Sequence, residues 1–328
     1  MDFNHFLTSY MPDPNIGSKQ HFKHMLDQSI LAEKLGYVAV SIPEHHLVNL
    51  LMMPSPLQMA VRISSLTNKI RLSTSVAVLP IHDMRTFAGE VATADILTEG
   101  RLVLGVARGA FAWELDRLGT PIESSKEKFI ESLEVLNSLL SKKDYSFKGK
   151  YYNFDEITIM PRPISDPVPI MVAAMDPSSI RKAASDGYHV QSTVLSGTKK
   201  LLLERVKAFK EGQQDAGENG KLLRLSMQRM AYAAKDENDA KEKNLLAYEY
   251  YKRFDNMYIG PGKVSKGLIE PLPRTQTLEE MTENLIICPI NEMIDKLSAY
   301  AESGVDEMII SAGFGQSQED MIESMYRI

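Results

Sequence analysis

Short, almost uninterrupted apolar segments alternate with stretches of helical periodicity along most of this chain. That alternation restricts its fold more than any other feature of the sequence. The segments Tyr37–Ile42, Ile70–Val78, Arg101–Ala107 and Ile170–Ala174 are each too short for a stable buried helix and, apart from the polar Arg71 and Ser73–Ser75 in the second, too continuously apolar for a half-exposed strand. Strands of that character are buried on both faces, which happens where crossover helices cover a parallel sheet. The intervening segments supply those helices. Phe22, Met25, Ser29 and Ala32 fall on one helical face before Gly36 stops it, and Pro56–Thr67, Met84–Leu97 and the run carrying Phe129, Leu133, Leu136 and Leu140 repeat the pattern.

The opening segment Asp2–Tyr10 reads as a strand that leaves into a loop at Pro12 and Pro14, and later strands are expected at His189–Val194, Leu223–Ala233 and Glu307–Ser311. With the four above this gives about eight strand–helix repeats, the number that closes an α/β (β/α)8 TIM barrel. No shift in composition divides the chain, so residues 1–328 are read as a single barrel domain. Two stretches interrupt the rhythm. Tyr145–Met160 alternates aromatic and polar residues around Gly149 and predicts a small antiparallel excursion. Asp255–Thr282, with its glycines and prolines, is read as a long insertion loop before the last repeat and as a candidate mobile lid.

The formal charge of −6 and the lack of any Lys/Arg cluster argue against nucleic acid as a partner. Neither a secretory leader at Met1–Tyr10 nor an apolar run of membrane-spanning length is present, and the lone Cys288 has no intrachain disulfide partner, so the cytoplasm is the expected location. Cys288 has no flanking cation that would make it reactive.

In such a barrel the chemistry sits where strands end and loops begin. The second strand ends in Pro43-Glu44-His45-His46, imidazoles beside a carboxylate that titrate near neutrality and suit general acid–base work; a structural role is the alternative. Adjacent side chains on a strand face opposite ways, so this triplet is not expected to hold a metal. His82, after Pro80, is a second acid–base candidate, and Phe111 and Trp113 are candidates to shape a pocket. No G-x-G-x-x-G dinucleotide fingerprint occurs.

Four stretches in register carry a family resemblance: Glu44-His45-His46-Leu47, Leu57–Leu66, Ile70-Arg71-Leu72-Ser73-Thr74-Ser75-Val76-Ala77-Val78-Leu79-Pro80 and Thr98-Glu99-Gly100-Arg101-Leu102-Val103-Leu104-Gly105-Val106-Ala107-Arg108-Gly109. Over roughly residues 1–195 the chain resembles the alkanal monooxygenase (luciferase) α-subunit branch of the flavin-dependent luciferase-like family. Thereafter the match is looser, resting on the long loop and Cys288-Pro289-Ile290-Asn291.

The resemblance implies a flavin-dependent monooxygenase that uses reduced FMN, supplied by a separate flavin reductase, and O2 to oxygenate a small organic substrate through a C4a-(hydro)peroxide. It implies a homodimer. It also implies roles: His45, with Glu44 and His82 beside it, at the oxygen-reactive edge of the flavin; Ser75 and Val76, often joined by a cis peptide, against the isoalloxazine; Arg108 and Lys126 on the phosphate; Ala174, Met175, Asp176, Ser178 and Ser179 contacting flavin and phosphate. Met175 and Asp176 depart from the family pattern, which has glutamate and serine there, and an aspartate beside a phosphate is repulsive unless it caps the following helix. A deazaflavin-dependent dehydrogenase or reductase on the same barrel and a non-catalytic flavin-binding protein are the rival readings.

Overall fold

The computed structural model describes residues 1–328. Eight parallel strands form the barrel: β1 (Asp2–Phe6), β2 (Ala39–Ile42), β3 (Arg71–Thr74), β4 (Leu102–Ala107), β5 (Ile170–Ala173), β6 (His189–Thr193), β7 (Leu225–Ala234) and β8 (Glu307–Ser311). Each pairs with its sequence neighbours, and β8 closes on β1 with Asp2 opposite Glu307 and Phe6 opposite Ser311. The expected eight strands are these eight. β2 and β8 are buried at every position, the polar Ser41, Glu307 and Ser311 included, as strands between a helical shell and a packed interior must be.

The covering helices are α1 (Ser18–Leu35), α2 (Pro56–Ser64), α3 (Met84–Leu97), α4 (Ile122–Ser141), α5 (Pro177–Ser185), α6 (Lys199–Asp215), α7 (Glu237–Tyr258), α8 (Ile290–Ser303) and α9 (Gln318–Arg327). Gly36 ends α1 in a left-handed conformation at φ 89°, as its sequence position predicts. Tyr145–Lys148 and Asn153–Ile157 form the expected antiparallel excursion. No helix is long and apolar enough to cross a membrane.

The N-terminal end of the barrel is plugged by polar side chains. Arg71 pairs with the buried Glu307 at 2.9 Å, Asn4 donates to the same carboxylate at 3.0 Å, and Arg224 pairs with Asp2 at 2.6 Å. The C-terminal end is left for function.

Residues 255–282 differ from the loop expected there. α7 continues to Tyr258, Val264–Ser265 pairs with Leu268–Ile269 in a small hairpin, and Leu278–Asn284 is helical. A reciprocal capping box between Thr277 and Glu280 starts that helix, a signal masked in the sequence by Pro271, Pro273 and the helix's two-turn length. The Asn49 side chain receives the Ile269 N–H at 3.1 Å, and Asn256 donates to the Lys263 and Glu270 carbonyls at 2.9 Å each. After this insertion, Ile286–Pro289 pairs in parallel with the second half of β7, Ala231–Ala234, before α8 leads to β8. Cys288 lies on that extra strand; burial raises its pKa to about 11, which keeps it a thiol.

Candidate active site

A cavity of about 1140 Å³ opens at the C-terminal ends of the barrel strands, with α7 across its mouth. Tyr10 after β1 meets Tyr250 edge-on at 5.3 Å, Phe254 meets Phe111 after β4 at 5.7 Å, and Tyr258 reaches Met175 after β5 at 3.3 Å. Every cofactor residue expected from the sequence lines this cavity: Ser75, Val76, Arg108, Lys126, Ala174, Met175, Asp176, Ser178 and Ser179. Of the expected acid–base group, His45 and Glu44 line it and His82 does not.

His45 is fixed on two sides. Its Nδ1 lies 2.8 Å from Glu114 Oε2, and its ring stacks on Phe111 at 4.2 Å with a 21° interplanar angle. Glu114 is itself 3% exposed, and its other oxygen accepts the backbone N–H of His46. A carboxylate filled in this way leaves His45 Nδ1 as a donor, so Nε2 is free to accept a proton from, or share one with, a group in the cavity. Glu114 was not among the sequence candidates. It stands 69 residues from His45 on a one-turn helix, Ala112–Arg117, with no spacing that links the two.

Glu44 is an organiser of the loop and not an open acid. Its Oε2 accepts the Val78 N–H at 2.6 Å, while Oε1 accepts from His82 Nε2 at 2.9 Å and His46 Nε2 at 3.2 Å. His82 thus stands behind Glu44, stacked on Phe87 at 4.4 Å. The His45 and His46 side chains serve different carboxylates, although both lie past the end of β2.

Burial alone would raise the Glu44 pKa, but the hydrogen bonds from His46, His82 and Val78 outweigh it and hold the group below its ordinary 4.5. The same Glu44 bond raises His46 above 6.5, against a smaller effect of burial. The Glu44 contribution to stability is present above 4.5 and fades as pH falls through its lowered value. The His46 contribution is present below 6.5 and fades as pH rises through its raised value. Glu44→Gln is therefore expected to lower the melting temperature most between pH 4.5 and 6.5 and less above that window; a penalty that did not change with pH would refute the paired-charge account.

Ser75 and Val76 follow β3 and are joined by a cis peptide. The approach of this turn to β4 requires a glycine: a Cβ on Gly105 would lie 2.0 Å from the Thr74 carbonyl oxygen. Ser75 Oγ is 2.7 Å from Gln191 Nε2, Gln191 neighbours Gln228 at 3.4 Å, and the buried Ser192 Oγ beside them has no partner. This gives a rim of amide and hydroxyl groups from β3, β6 and β7. Gln191, Ser192 and Gln228 were missed in the sequence because polar residues inside apolar strands carry no motif.

At another end of the cavity Arg108 and Lys126 form no salt bridge, whereas Lys182 is neutralised by Asp186 at 2.5 Å. Asp176 caps α5, accepting from Ser179 N at 3.0 Å and Ser178 Oγ at 2.6 Å. Burial opposes its ionisation, but those bonds prevail and bring its pKa down to about 2. The aspartate that departs from the family pattern is thus committed to its own helix, which removes the expected conflict with an anion.

Comparison with known proteins agrees with the family resemblance and with the barrel fold. The family model of luciferase-like monooxygenases matches residues 1–307. The oxygenase component of a flavin-dependent trigonelline monooxygenase from Acinetobacter baylyi is 31% identical over 94% of this chain and 88% of its own. Among solved structures, the monooxygenase RslO1 from Streptomyces bottropensis superposes with a TM-score of 0.83 at 21% identity, covering 99% of this chain and 97% of its own. The oxygenating constituent of 3,6-diketocamphane monooxygenase from Pseudomonas putida, in complex with FMN, gives 0.78 at 18% over 100% and 96%. An F420-dependent secondary alcohol dehydrogenase gives 0.77 at 18% over 99% and 98%.

Proposed function

Because this chain belongs to the luciferase-like monooxygenase family, we propose that it is the oxygenase component of a two-component flavin monooxygenase, taking reduced FMN from a separate reductase and oxygenating a small organic molecule. The observation that carries this reading is the juxtaposition in one cavity of two unpaired cations, an amide-and-hydroxyl rim and a histidine with one free ring nitrogen. The residues fit the cofactor. Arg108, Lys126 and the Ser179 hydroxyl suit a terminal phosphate, the Ser178 hydroxyl being committed to Asp176, and Ser75, Gln191 and the unpartnered Ser192 Oγ suit the hydrogen-bonding edge of an isoalloxazine.

Reduced flavin supplies the electrons that activate dioxygen. The protein's part is to bind, to orient and to exclude water. Phe111 and Glu114 hold the His45 ring, whose Nε2 holds or moves a proton at the reacting edge. α7 and the segment 255–282 close the mouth as a lid, with Arg274 paired to Asp255 at 3.0 Å and donating to Ser196 at 3.1 Å on the loop after β6. Limited proteolysis with and without FMN tests the lid, and equal cleavage rates would remove it. The working unit is a homodimer paired through the helices of the second and third repeats, where Leu97 at the end of α3 is 55% exposed.

The reading is tested by titrating the protein with FMN and with a deazaflavin, then supplying a flavin reductase and NADH. Preference for FMN and NADH oxidation that requires the reductase are expected. Tight deazaflavin binding with hydride transfer would replace the oxygenase by a dehydrogenase, and tight binding of oxidised flavin without oxygen uptake would leave a carrier.

A further inference from the structure

The cavity exceeds the ~300–1,000 Å³ of a typical small-molecule site, which leaves room beside one cofactor. The cations occupy the side between α4 and α5. The side under α7 is aromatic. Tyr250, Phe254 and Tyr258 stand one helical turn apart on the face of α7 that looks into the cavity, with Tyr251 beside them. Phe254 lies nearly parallel to Tyr250 at 6.4 Å, tilts toward Tyr258 at 5.6 Å, and presents an edge contact to Phe111, the ring on which His45 is stacked. The aromatic row therefore ends at the histidine that lines the cavity.

Two polar groups in this row are uncommitted. Tyr258 spends its hydroxyl on Met175, but the hydroxyls of Tyr250 and Tyr251 form no hydrogen bond with the protein although both residues are almost wholly buried. Neither hydroxyl oxygen is sealed inside the protein, so each opens to the cavity, where a bound molecule can serve as its partner. Their surroundings select its sign. The Arg274 guanidinium sits 4.9 Å over the Tyr251 ring, and the fully buried Arg229 donates to the carbonyls of Leu195 and Asn284 while its Nε has no partner; the one carboxylate in ion-pair contact with either is Asp255. Of the carboxylates lining the cavity, Glu134, Asp176 and Asp186 belong to α4 and the start and end of α5, and Glu44 is saturated. The Tyr251 hydroxyl, beside Arg274, donates best to an electron-rich oxygen, and that of Tyr250 next to it can add a second bond.

We propose that the Tyr250, Tyr251 and Phe254 face of α7 is the substrate subsite, and that it takes a planar ring bearing a carboxylate or carbonyl oxygen, stacked on Phe254 and anchored by the two tyrosine hydroxyls. This rests on the flavin reading for the opposite side of the cavity. Stacking of a flat ring on an aromatic face distinguishes it from a saturated ring or chain of the same charge by up to about tenfold.

The test is calorimetric titration of the FMN-loaded protein with benzoate, cyclohexanecarboxylate and hexanoate, which share a charge and differ in planarity. Benzoate is expected to bind up to about tenfold tighter than the other two. Phe254→Ala should erase that preference, and the conservative Tyr251→Phe should weaken benzoate about fivefold or more while leaving toluene, which has no acceptor, unaffected. Equal affinities for benzoate and hexanoate, or no benzoate binding, on protein that still binds FMN would overturn the subsite and leave the flavin reading intact. Failure to bind FMN overturns the flavin reading instead, and the same titrations on the flavin-free protein then decide the subsite alone.

Discussion

Replacing His45 by alanine is expected to lower coupled oxygenation by about 100-fold while the reduced flavin continues to be oxidised, its electrons emerging as hydrogen peroxide. The expectation follows from geometry. His45 Nε2 is the unpartnered imidazole nitrogen in the cavity wall, and Glu114 with Phe111 holds the ring so that this nitrogen keeps one direction. Glu114→Gln should give a milder version of the same split, because an amide accepts one of the two N–H groups that the carboxylate now takes, from His45 and from His46, and meets the other with its own N–H. The measurement is product formed per flavin oxidised, with peroxide quantified alongside. Unchanged coupling in His45→Ala would remove the proton-handling role.

The second large effect is expected at Arg108. Arg108→Ala should weaken FMN binding by roughly 10- to 100-fold, the range for loss of a charge-assisted hydrogen bond of about 1.5–3 kcal/mol, and should leave riboflavin, which lacks the phosphate, bound as before. Lys126→Ala should act in the same direction more weakly, since an ammonium lacks the planar fork that grips two phosphate oxygens. The contrast between FMN and riboflavin is the informative readout. A variant that loses both ligands equally would place Arg108 in the fold and not on the phosphate.

Much of this architecture could be read from residue order. The eight strands announce themselves because a strand buried on both faces leaves a continuous apolar run, and the positions just after them follow from the barrel's habit of carrying function on one rim. The residues expected to hold a cofactor were named through a resemblance carried by four motifs in register, and all of them line one cavity. What stayed hidden was pairing across long separations. Nothing near Ala112–Arg117 says that Glu114 will hold an imidazole 69 positions earlier, and His82 looked like a second acid–base group until its partner proved to be the saturated Glu44. The row at 250, 254 and 258 did carry a visible four-residue spacing. It was obscured because the glycines and prolines from residue 260 onward made its last turn look like the beginning of a loop.

The doubled length of β7 has an evolutionary corollary. Its first half, through Met230, is held in the barrel by β6 and β8, and its second half, from Ala231, clasps Ile286–Pro289, so the excursion between departs from and returns to one rail. A module tethered in this way can be lengthened, shortened or exchanged without breaking the ring of strands beneath it. Grafting residues 235–285 from a relative onto this barrel is thus a natural route to a new choice of substrate on an unaltered cofactor platform.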